Sequence, residues 1–428
     1  MTAVEAAAAI RTGALTSKEL VSECLDRIAS REPTIGAWTF LDPAYALSQA
    51  EAADARQAAG EPLGALHGVP VGIKDIFDTA DMPTENGTPL HAGRTPAEDA
   101  AAVALLRRAG AIIMGKTVTT ELAVYTPGKT RNPANPEHSP GGSSSGSAAA
   151  VAAGMVPMAL GSQTNGSTIR PASYCGVVGY KPTRGLIPLR GGLAQSKALD
   201  TAGVFASSIA DAALMAEAMI EGFLRARPTL MATAAAEPPV PPKLAFVRTP
   251  LWGQVDAEAA KAFEALVARF PATIVEASLP DWTAKGLDWH RTILEADIAR
   301  SFAAEYERAR DRLSPLLAGM IERGQTHRAV DYNNALDGAE RLHDAIAEVL
   351  RTCDAILTPG TSGTAPRGLE QTGTPMFCTL WTLAGVPALS LPLLKGANGL
   401  PLGVQLVGRR GDDARLLRTA RWLSGLVA

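Results

Sequence analysis

The feature that most constrains the fold of this 428-residue chain is a long stretch of glycine, serine and alanine before its midpoint. Glycine and serine dominate residues 141–147, small residues fill 148–154, and a second polar turn spans 166–171. Glycine gains little from burial and loses the most backbone freedom on folding, so ordering such a stretch is unfavourable. A chain tolerates it where backbone N–H groups and hydroxyls must approach something closely, which indicates a binding or catalytic loop.

Two familiar glycine motifs do not fit this stretch. A phosphate-binding loop ends in Gly-Lys-Ser/Thr, and no lysine follows Gly146. Residues 142–146 match the Gly-x-Ser-x-Gly nucleophile elbow, but an elbow needs a buried strand leading into it. The preceding residues, 130–140, are rich in proline and asparagine and cannot form a central strand. A flexible linker is also disfavoured, because an alanine-rich helix and an apolar strand follow the serines.

A second unusual feature is Lys74, which follows the apolar run 69–73. A lysine is ordinarily charged near neutral pH, and a charged amine cannot act as a base. Burial among apolar residues lowers the pKa of a lysine, so a buried Lys74 could accept a proton from a serine. The alternative is that Lys74 only pairs with a carboxylate such as Asp75. Lys116 follows a similar apolar strand, and we interpret it as structural.

Three separated blocks of the sequence resemble the amidase signature family. They read VGIKD at 71–75, GGSSSGS at 141–147 continuing to CGVVGYKPTRG at 175–185, and LPLGVQ at 400–405. Their order and spacing extend the resemblance over nearly the whole chain. Within the family, DMPTE at 81–85 and HSPGGSSSGS at 138–147 are most similar to malonamidase. The resemblance implies an α/β fold, an α/β/α sandwich around a large mixed β-sheet.

The resemblance also assigns the catalytic groups. It makes Ser167 the nucleophile, Ser143 the bridging serine and Lys74 the base, and it implies a cis peptide bond between Gly142 and Ser143. It places the oxyanion hole in four consecutive backbone N–H groups, those of Thr164, Asn165, Gly166 and Ser167. Two of these residues, an asparagine and a glycine, are of types that tolerate the positive φ which we expect in such a nest of N–H groups.

The block that contains Ser167 departs from the common family pattern. Most members resemble Gly-Thr-Asp-Thr-Gly-Gly-Ser-x-Arg-x-Pro, whereas residues 161–171 read GSQTNGSTIRP, with Gln163 replacing the aspartate. The arginine stands one position later, at Arg170, as in malonamidase, where it is taken to hold the acid end of the substrate. In an extended segment this move would turn the side chain to the opposite side.

We therefore expect Arg170 to bind a substrate carboxylate through its planar fork. The alternative is that Arg170 pairs with a buried acid of the protein. The bulky side chains of Tyr125, Phe377 and Trp381 are candidates for an aryl pocket, and we assign Tyr125 and Trp381 to substrate binding.

Other catalytic chemistries find less support in the sequence. The six histidines include no His-x-x-x-His pair, and the single Glu-x-x-His at 340–343 lacks the second copy that a carboxylate metal site needs. A Ser-His-Asp triad stays open, because its members can come from anywhere in a chain. The four cysteines are isolated, and Cys175 is interpreted as packing. We expect no metal and no cofactor.

Composition limits the partners of the protein. A net charge of −3 without a basic stripe argues against nucleic acid as a partner. No apolar run reaches transmembrane length, and the N-terminus does not resemble a secretory signal. We therefore expect a soluble, cytoplasmic protein that acts on a small molecule and binds no membrane, with a homodimer left open.

Helical and strand patterns alternate along the chain, as in an α/β sheet with helices on both faces. A capping box at 16–19 predicts a helix start, and a helix is predicted at 97–109. Strands are predicted at 111–114, 244–247, 354–359 and 401–407. We predict a single domain over residues 1–428, with a core signature at about 66–210, a variable helical pocket wall at about 256–350 and a return to the sheet at about 351–428.

Together these features predict an amidase that hydrolyses a small-molecule C–N bond through an acyl-enzyme on Ser167, with a substrate that carries a carboxylate. A carbamate or urea-type bond is an alternative, because the same acyl transfer serves either carbonyl. An alternative of another class is the A-type subunit of a glutamine-dependent tRNA amidotransferase. That subunit normally keeps the aspartate that Gln163 replaces.

Overall fold

A computed structural model describes residues 1–221 and 229–427 of the chain. Within these residues, eleven strands form one sheet. The strands are β1 (Trp38–Leu41), β2 (Pro70–Lys74), β3 (Ile112–Thr117), β4 (Met158–Gln163), β5 (Val178–Lys181), β6 (Thr201–Ala206), β7 (Leu244–Val247), β8 (Ile274–Ala277), β9 (Ala355–Pro359), β10 (Ala388–Lys395) and β11 (Pro401–Val407).

Helices flank this sheet. The α-helices of the described residues are α1 (Ala3–Arg11), α2 (Ser17–Ile35), α3 (Pro43–Ala58), α4 (Ala101–Arg108), α5 (Ser145–Ala152), α6 (Ile169–Cys175), α7 (Ile209–Ala218), α8 (Leu230–Ala235), α9 (Ala257–Arg269), α10 (Gly286–Ser301), α11 (Ala303–Ala309), α12 (Pro315–Gly324), α13 (Ala329–Val349), α14 (Met376–Leu383) and α15 (Asp413–Val427).

The sheet is mixed, with strand order β1-β3-β2-β4-β6-β5-β10-β11-β9-β7-β8. Strand β2 runs parallel to β3 and β4, and β7 runs parallel to β8 and β9, while the other neighbours are antiparallel. Parallel neighbours need a crossover connection, and the helices supply these crossovers.

Both faces of the sheet are covered, as strand β7 shows. Leu244 and Phe246 pack into one hydrophobic cluster, and the alternating residues Ala245 and Val247 pack into another. Successive side chains of a strand point to opposite faces, so the two clusters lie on opposite sides of the sheet. The predicted α/β/α sandwich around a large mixed sheet is confirmed.

Local sequence signals explain where several elements begin. The capping box predicted at 16–19 is present, with Thr16 accepting from the Glu19 N–H and starting α2. The helix predicted at 97–109 begins only at Ala101. The N–H groups of Ala100 and Ala101 bond to the carbonyls of Asp78 and Arg190 instead, so the preceding residues belong to a loop.

The parallel strands bring three loops to one edge of the sheet. Strands β2, β3 and β4 are parallel neighbours, so their carboxyl ends meet at the same edge. Lys74 is the last residue of β2, Ser143 lies in the loop between β3 and α5, and Ser167 lies between β4 and α6. Helix α10 packs against α11, α12 and α13, and it also packs against α14. None of the described helices is both long and apolar enough to span a membrane.

Candidate active site

Lys74 is completely buried, with 0% of its surface exposed. Its Nζ lies 2.7 Å from Ser143 Oγ and 2.8 Å from Ser162 Oγ. Loss of water holds the pKa of Lys74 well below its ordinary value, and the nearby Asp200 carboxylate opposes this effect. A neutral amine has two N–H groups and one lone pair, so it can donate to Ser162 while it accepts from Ser143.

Asp75 does not pair with Lys74 but with the neighbouring Lys116, whose Nζ lies 3.4 Å from Asp75 Oδ1. Lys116 also donates to the carbonyls of Phe77 and Pro83 at 3.0 and 3.1 Å. Burial lowers the pKa of Lys116 to about 8, with Asp75 acting against it. Lys116 thus fastens the loop that follows β2, as expected of a structural lysine, and Asp75 forms no ion pair with Lys74.

Ser143 is held firmly beside Lys74. The peptide bond between Gly142 and Ser143 is cis, as the resemblance implied. The Ser143 carbonyl accepts from the Thr120 N–H at 3.2 Å. Glycine is required before it, because a Cβ at Gly142 would lie 2.8 Å from the side chain of Thr372.

Ser167 lines a narrow cleft together with Tyr125, Thr164 and Asn165. It is 8% exposed, and in the part of the chain that the structure describes its Oγ makes no hydrogen bond. The hydrogen bond of Lys74 to Ser143 therefore does not continue to the hydroxyl of Ser167 in this structure. Hydrogen bonds of catalytic groups often tighten only when substrate binds.

Three carbonyl groups of the loop 164–167 accept hydrogen bonds that fix its orientation. The carbonyl of Thr164 accepts from His290 Nε2 at 2.9 Å, and the carbonyl of Asn165 accepts from Thr382 Oγ1 at 2.5 Å. The carbonyl of Gly166 accepts from the N–H of Arg170 at 3.0 Å. A carbonyl and the N–H of the next residue point in opposite directions, so these anchors turn the N–H groups of 165–167 the other way. Among the described residues, no acceptor pairs with the N–H groups of 164–167.

The positive φ expected in this loop is wrong. Asn165 and Gly166 are both absent from the described residues with positive φ. The three carbonyl anchors orient the loop instead, and two of them come from distant helices, His290 on α10 and Thr382 on α14. Burial lowers the pKa of His290 to about 4, so its imidazole is neutral and donates through Nε2–H.

The side chain of Gln163 accepts hydrogen bonds from backbone N–H groups at the start of α6. Its Oε1 accepts from the N–H groups of Thr168 and Ile169 at 2.8 and 3.0 Å. Its Nε2 donates to Thr382 Oγ1 at 3.0 Å. Because the Gln163 amide is uncharged, it cannot form an ion pair with Arg170, as an aspartate at this position could.

Arg170 is a fully buried guanidinium, at 0% exposure. Its Nη1 donates to the Gly373 carbonyl at 2.8 Å and its Nη2 to the Gly142 carbonyl at 2.6 Å, while Nε has no partner. No carboxylate of the described residues forms an ion pair with it. The assumption that its segment is extended is wrong, because Arg170 lies in the first turn of α6 that Gln163 caps.

The two aromatic candidates occupy different places. Tyr125 lines the cleft, and its hydroxyl accepts from Asn165 Nδ2 at 3.3 Å. Trp381 and Phe377 lie on α14, and the Trp381 side chain is 0% exposed within a hydrophobic cluster. The structure thus brings Tyr125 to Ser167 and places Trp381 in the core.

Several residues of the site were not singled out from the sequence. Ser162 could have been noticed, because it precedes Gln163 in the block that contains the nucleophile. No local signal marks the groups that come from distant elements, which are His290, Thr382 and Asp200. In the portion of the chain covered by the structure, no cluster of three His, Cys, Asp or Glu side chains could hold a metal.

The fold is that of an amide-hydrolysing enzyme, and comparison with known proteins agrees. The family model for Amidase matches residues 19–417. The chain belongs to the amidase family and is an enzyme that hydrolyses carbon–nitrogen amide bonds.

Known relatives match over almost the full length. The A-type subunit of the glutamyl-tRNA(Gln) amidotransferase from Anaeromyxobacter sp. (strain K) is 36% identical, covering 98% of this chain and 94% of that protein. The crystal structure of an amidase is 31% identical with a TM-score of 0.89, covering 100% of both chains. A chain from a vestigial protein complex, described as revealing the origins of an s-triazine catabolic enzyme, is 26% identical with a TM-score of 0.91, covering 100% of this chain and 98% of that one.

Proposed function

We propose that the protein hydrolyses small amides through a covalent acyl-enzyme on Ser167. The observation that carries this proposal is the buried Lys74 amine, which forms no ion pair among the described residues and lies 2.7 Å from Ser143 Oγ, at the sheet edge that Ser167 also borders. Burial favours the neutral form of such an amine, which can accept a proton, whereas an exposed lysine stays charged.

In the first half of the reaction, Ser143 passes a proton to Lys74 and takes the proton of Ser167. Ser167 Oγ then bonds to the carbonyl carbon of the substrate, and the N–H groups of 164–167 stabilise the oxyanion. The C–N bond breaks as the relay returns a proton to the nitrogen, which leaves as an amine. Water then attacks the ester with the same relay as base. An amide and a water thus become a carboxylic acid and an amine, and Ser167 is regenerated.

The test is turnover of the Ser167→Ala variant on a panel of simple amides and carbamates. We expect a folded protein with no measurable hydrolysis, because the nucleophile is gone. Carbon dioxide release on the carbamate members of the panel separates the two kinds of bond. Unchanged turnover in this variant rules out the proposed nucleophile.

The acyl part of the substrate is proposed to carry a carboxylate, as a malonic half-amide does. A buried guanidinium normally has an acid partner, and Arg170 has none among the described residues. A substrate acid would supply the missing charge, with Tyr125 forming an aromatic wall of the cleft. Trp381 would contact the substrate only if α14 moved, since its side chain is buried.

This substrate class is tested by comparing malonamic acid with neutral amides of the same length. We expect neutral analogues to lose about tenfold or more in kcat/KM, and Arg170→Ala to raise KM for the acidic substrate. Arg170→Lys provides a matched control that keeps the charge without the fork. A preference for anilides or aryl carbamates over acidic amides would show that Arg170 only joins Gly142 to Gly373.

A second candidate function is that of an A-type amidotransferase subunit, which the curated relatives favour. Such a subunit would release ammonia from glutamine for a partner protein. Gln163 argues against it, because that subunit normally keeps an aspartate there. The purified chain should hydrolyse simple amides alone, whether it is a monomer or a homodimer. Glutamine hydrolysis that appears only with partner chains present would support the second candidate.

A further inference from the structure

A second cavity lies across Thr164 from the cleft of Ser167. It has a volume of about 280 Å³, and it shares Ala123, Thr164 and Gln195 with that cleft. Its lining includes apolar side chains and Ser162, whose Oγ contacts Lys74. The cavity lining thus includes both Ser162, which contacts Lys74, and Thr164 of the loop 164–167. Its apolar wall is formed by Ile76, Phe77, Leu189 and Leu193.

The acid in this cavity is Asp200. Its Oδ1 accepts from Thr164 Oγ1 at 2.6 Å, and its Oδ2 accepts from the N–H groups of Gln195 and Ser196 at 2.9 and 3.0 Å. No cation of the described residues forms an ion pair with Asp200, and burial of the nearby Lys74 favours its neutral amine. Burial raises the pKa of Asp200 to about 6, against the pull of these hydrogen bonds, so the carboxylate is charged at neutral pH.

The position of the cavity suits a leaving amine. The relay returns its proton to the substrate nitrogen from the side of Lys74, and the cavity wall includes the Ser162 hydroxyl that holds Lys74. An unpaired carboxylate beside an apolar wall fits a short alkyl chain that ends in an ammonium group. Lys197 also borders the cavity, but it is exposed, so solvent screens its charge.

We infer that this cavity binds the leaving amine of the substrate, and that Asp200 selects amides whose amine carries a second, positively charged amino group. The inference rests on the proposed function of Ser167 and adds the specificity of the amine side. Arg170 and Asp200 then recognise opposite ends of one substrate, an acid on the acyl side and an ammonium on the amine side.

The test uses two substrates with the same acyl group, an N-(2-aminoethyl) amide and an uncharged N-propyl amide of equal length. We expect the wild-type protein to favour the aminoethyl amide by about tenfold or more in kcat/KM, because hydrogen bonds to charged groups discriminate strongly. In Asp200→Asn, the ratio between the two substrates should fall to near one. Only the ratio is compared, because the contact of Asp200 with Thr164 also affects the oxyanion loop.

Asp297→Asn is the matched control. Asp297 is a buried carboxylate that accepts from Ser196 Oγ at 2.6 Å and from the Tyr332 hydroxyl at 3.1 Å, and it borders neither cavity. This variant should keep the wild-type ratio.

A second measurement does not depend on a variant. 1,2-Diaminoethane should inhibit the wild-type protein at about tenfold lower concentration than 1-propanol, an uncharged molecule of the same length. Equal use of the two amides by the wild type, or an unchanged ratio in Asp200→Asn, overturns the inference. If Ser167→Ala loses all activity while the Asp200 test fails, the proposed function of Ser167 stands and only the inference about Asp200 is overturned.

Discussion

At the scale of single residues, two similar buried lysines differ in the groups that surround their amines. Lys74 and Lys116 both end or follow apolar strand residues, and both are buried. Lys116 has an acid and two carbonyls as partners, whereas Lys74 contacts only serine hydroxyls. Burial without a direct ion pair favours the neutral amine, and burial with a paired acid favours the charged form. The same residue type can thus be a base in one place and an anchor in the other.

This contrast predicts the outcome of two matched substitutions. Lys74→Arg keeps a cation but cannot deprotonate, so kcat/KM should fall by about 100-fold or more while the protein stays folded. Lys116→Arg should retain most activity, because the guanidinium can still bond to Asp75 and the loop carbonyls. Steady-state kinetics on one amide, with circular dichroism for folding, makes the comparison. Equal losses in both variants would show that Lys74 is a structural residue.

The pH dependence of the rate reports the same amine. As pH falls through the depressed pKa of Lys74, the amine becomes protonated and can no longer accept a proton, so kcat/KM should fall on the acid side. The Asp200 charge favours the protonated form of Lys74, so Asp200→Asn should move this acid limb to lower pH. A profile of kcat/KM against pH for both proteins gives the answer. If the acid limb of Asp200→Asn stays in place or moves to higher pH, the charge of Asp200 does not raise the pKa of Lys74.

At the scale of elements, local sequence patterns predicted the bounds of several strands but did not predict the backbone conformation of the loop 164–167. Strands β7 and β11 begin and end where the apolar runs predicted, and α2 begins at its capping box. The predicted helix at 97–109 was too long because loop carbonyls compete for its first N–H groups. The positive φ expected in the loop 164–167 was wrong, because side chains of α10 and α14 orient this loop from outside.

Helix α10 reaches the oxyanion loop through one side chain, and this predicts a role for His290. Replacing it in His290→Leu removes the donor to the Thr164 carbonyl, so kcat should fall by about tenfold with little change in KM. His290→Gln, whose amide can donate to the same carbonyl, should recover much of the rate. Reaction with a fluorophosphonate should slow in parallel, because its transition state also uses the oxyanion hole.

His67→Leu is the control for this experiment. His67 is also buried, and its Nε2 bonds to the Ala53 carbonyl at 3.1 Å, outside the cleft. Its replacement should lower thermal stability without changing kcat. If His290→Leu lowers stability and leaves kcat and the fluorophosphonate rate unchanged, the histidine only supports the fold.

At the scale of the whole molecule, the sheet decides which distant residues meet. The motif blocks were readable in the sequence because each is local, and the parallel order β3-β2-β4 then gathers Lys74, Ser143 and Ser167 at one edge. The contributions of Asp200, His290 and Thr382 could not be predicted, because they depend on how loops and helices far apart in the chain pack against that edge. The same holds for Trp381. Its aromatic side chain was predicted to line a substrate pocket, but the packing of α14 buries it in the core.

The central claim is that Ser167 becomes covalently acylated with the help of Lys74. The most direct measurement is the mass of the protein after reaction with a fluorophosphonate, followed by mapping of the modified peptide. We expect one adduct, located on Ser167, which forms rapidly in the wild type and at least about 100-fold more slowly in Lys74→Arg. An adduct on any other residue, or equal rates in the two proteins, would contradict the account.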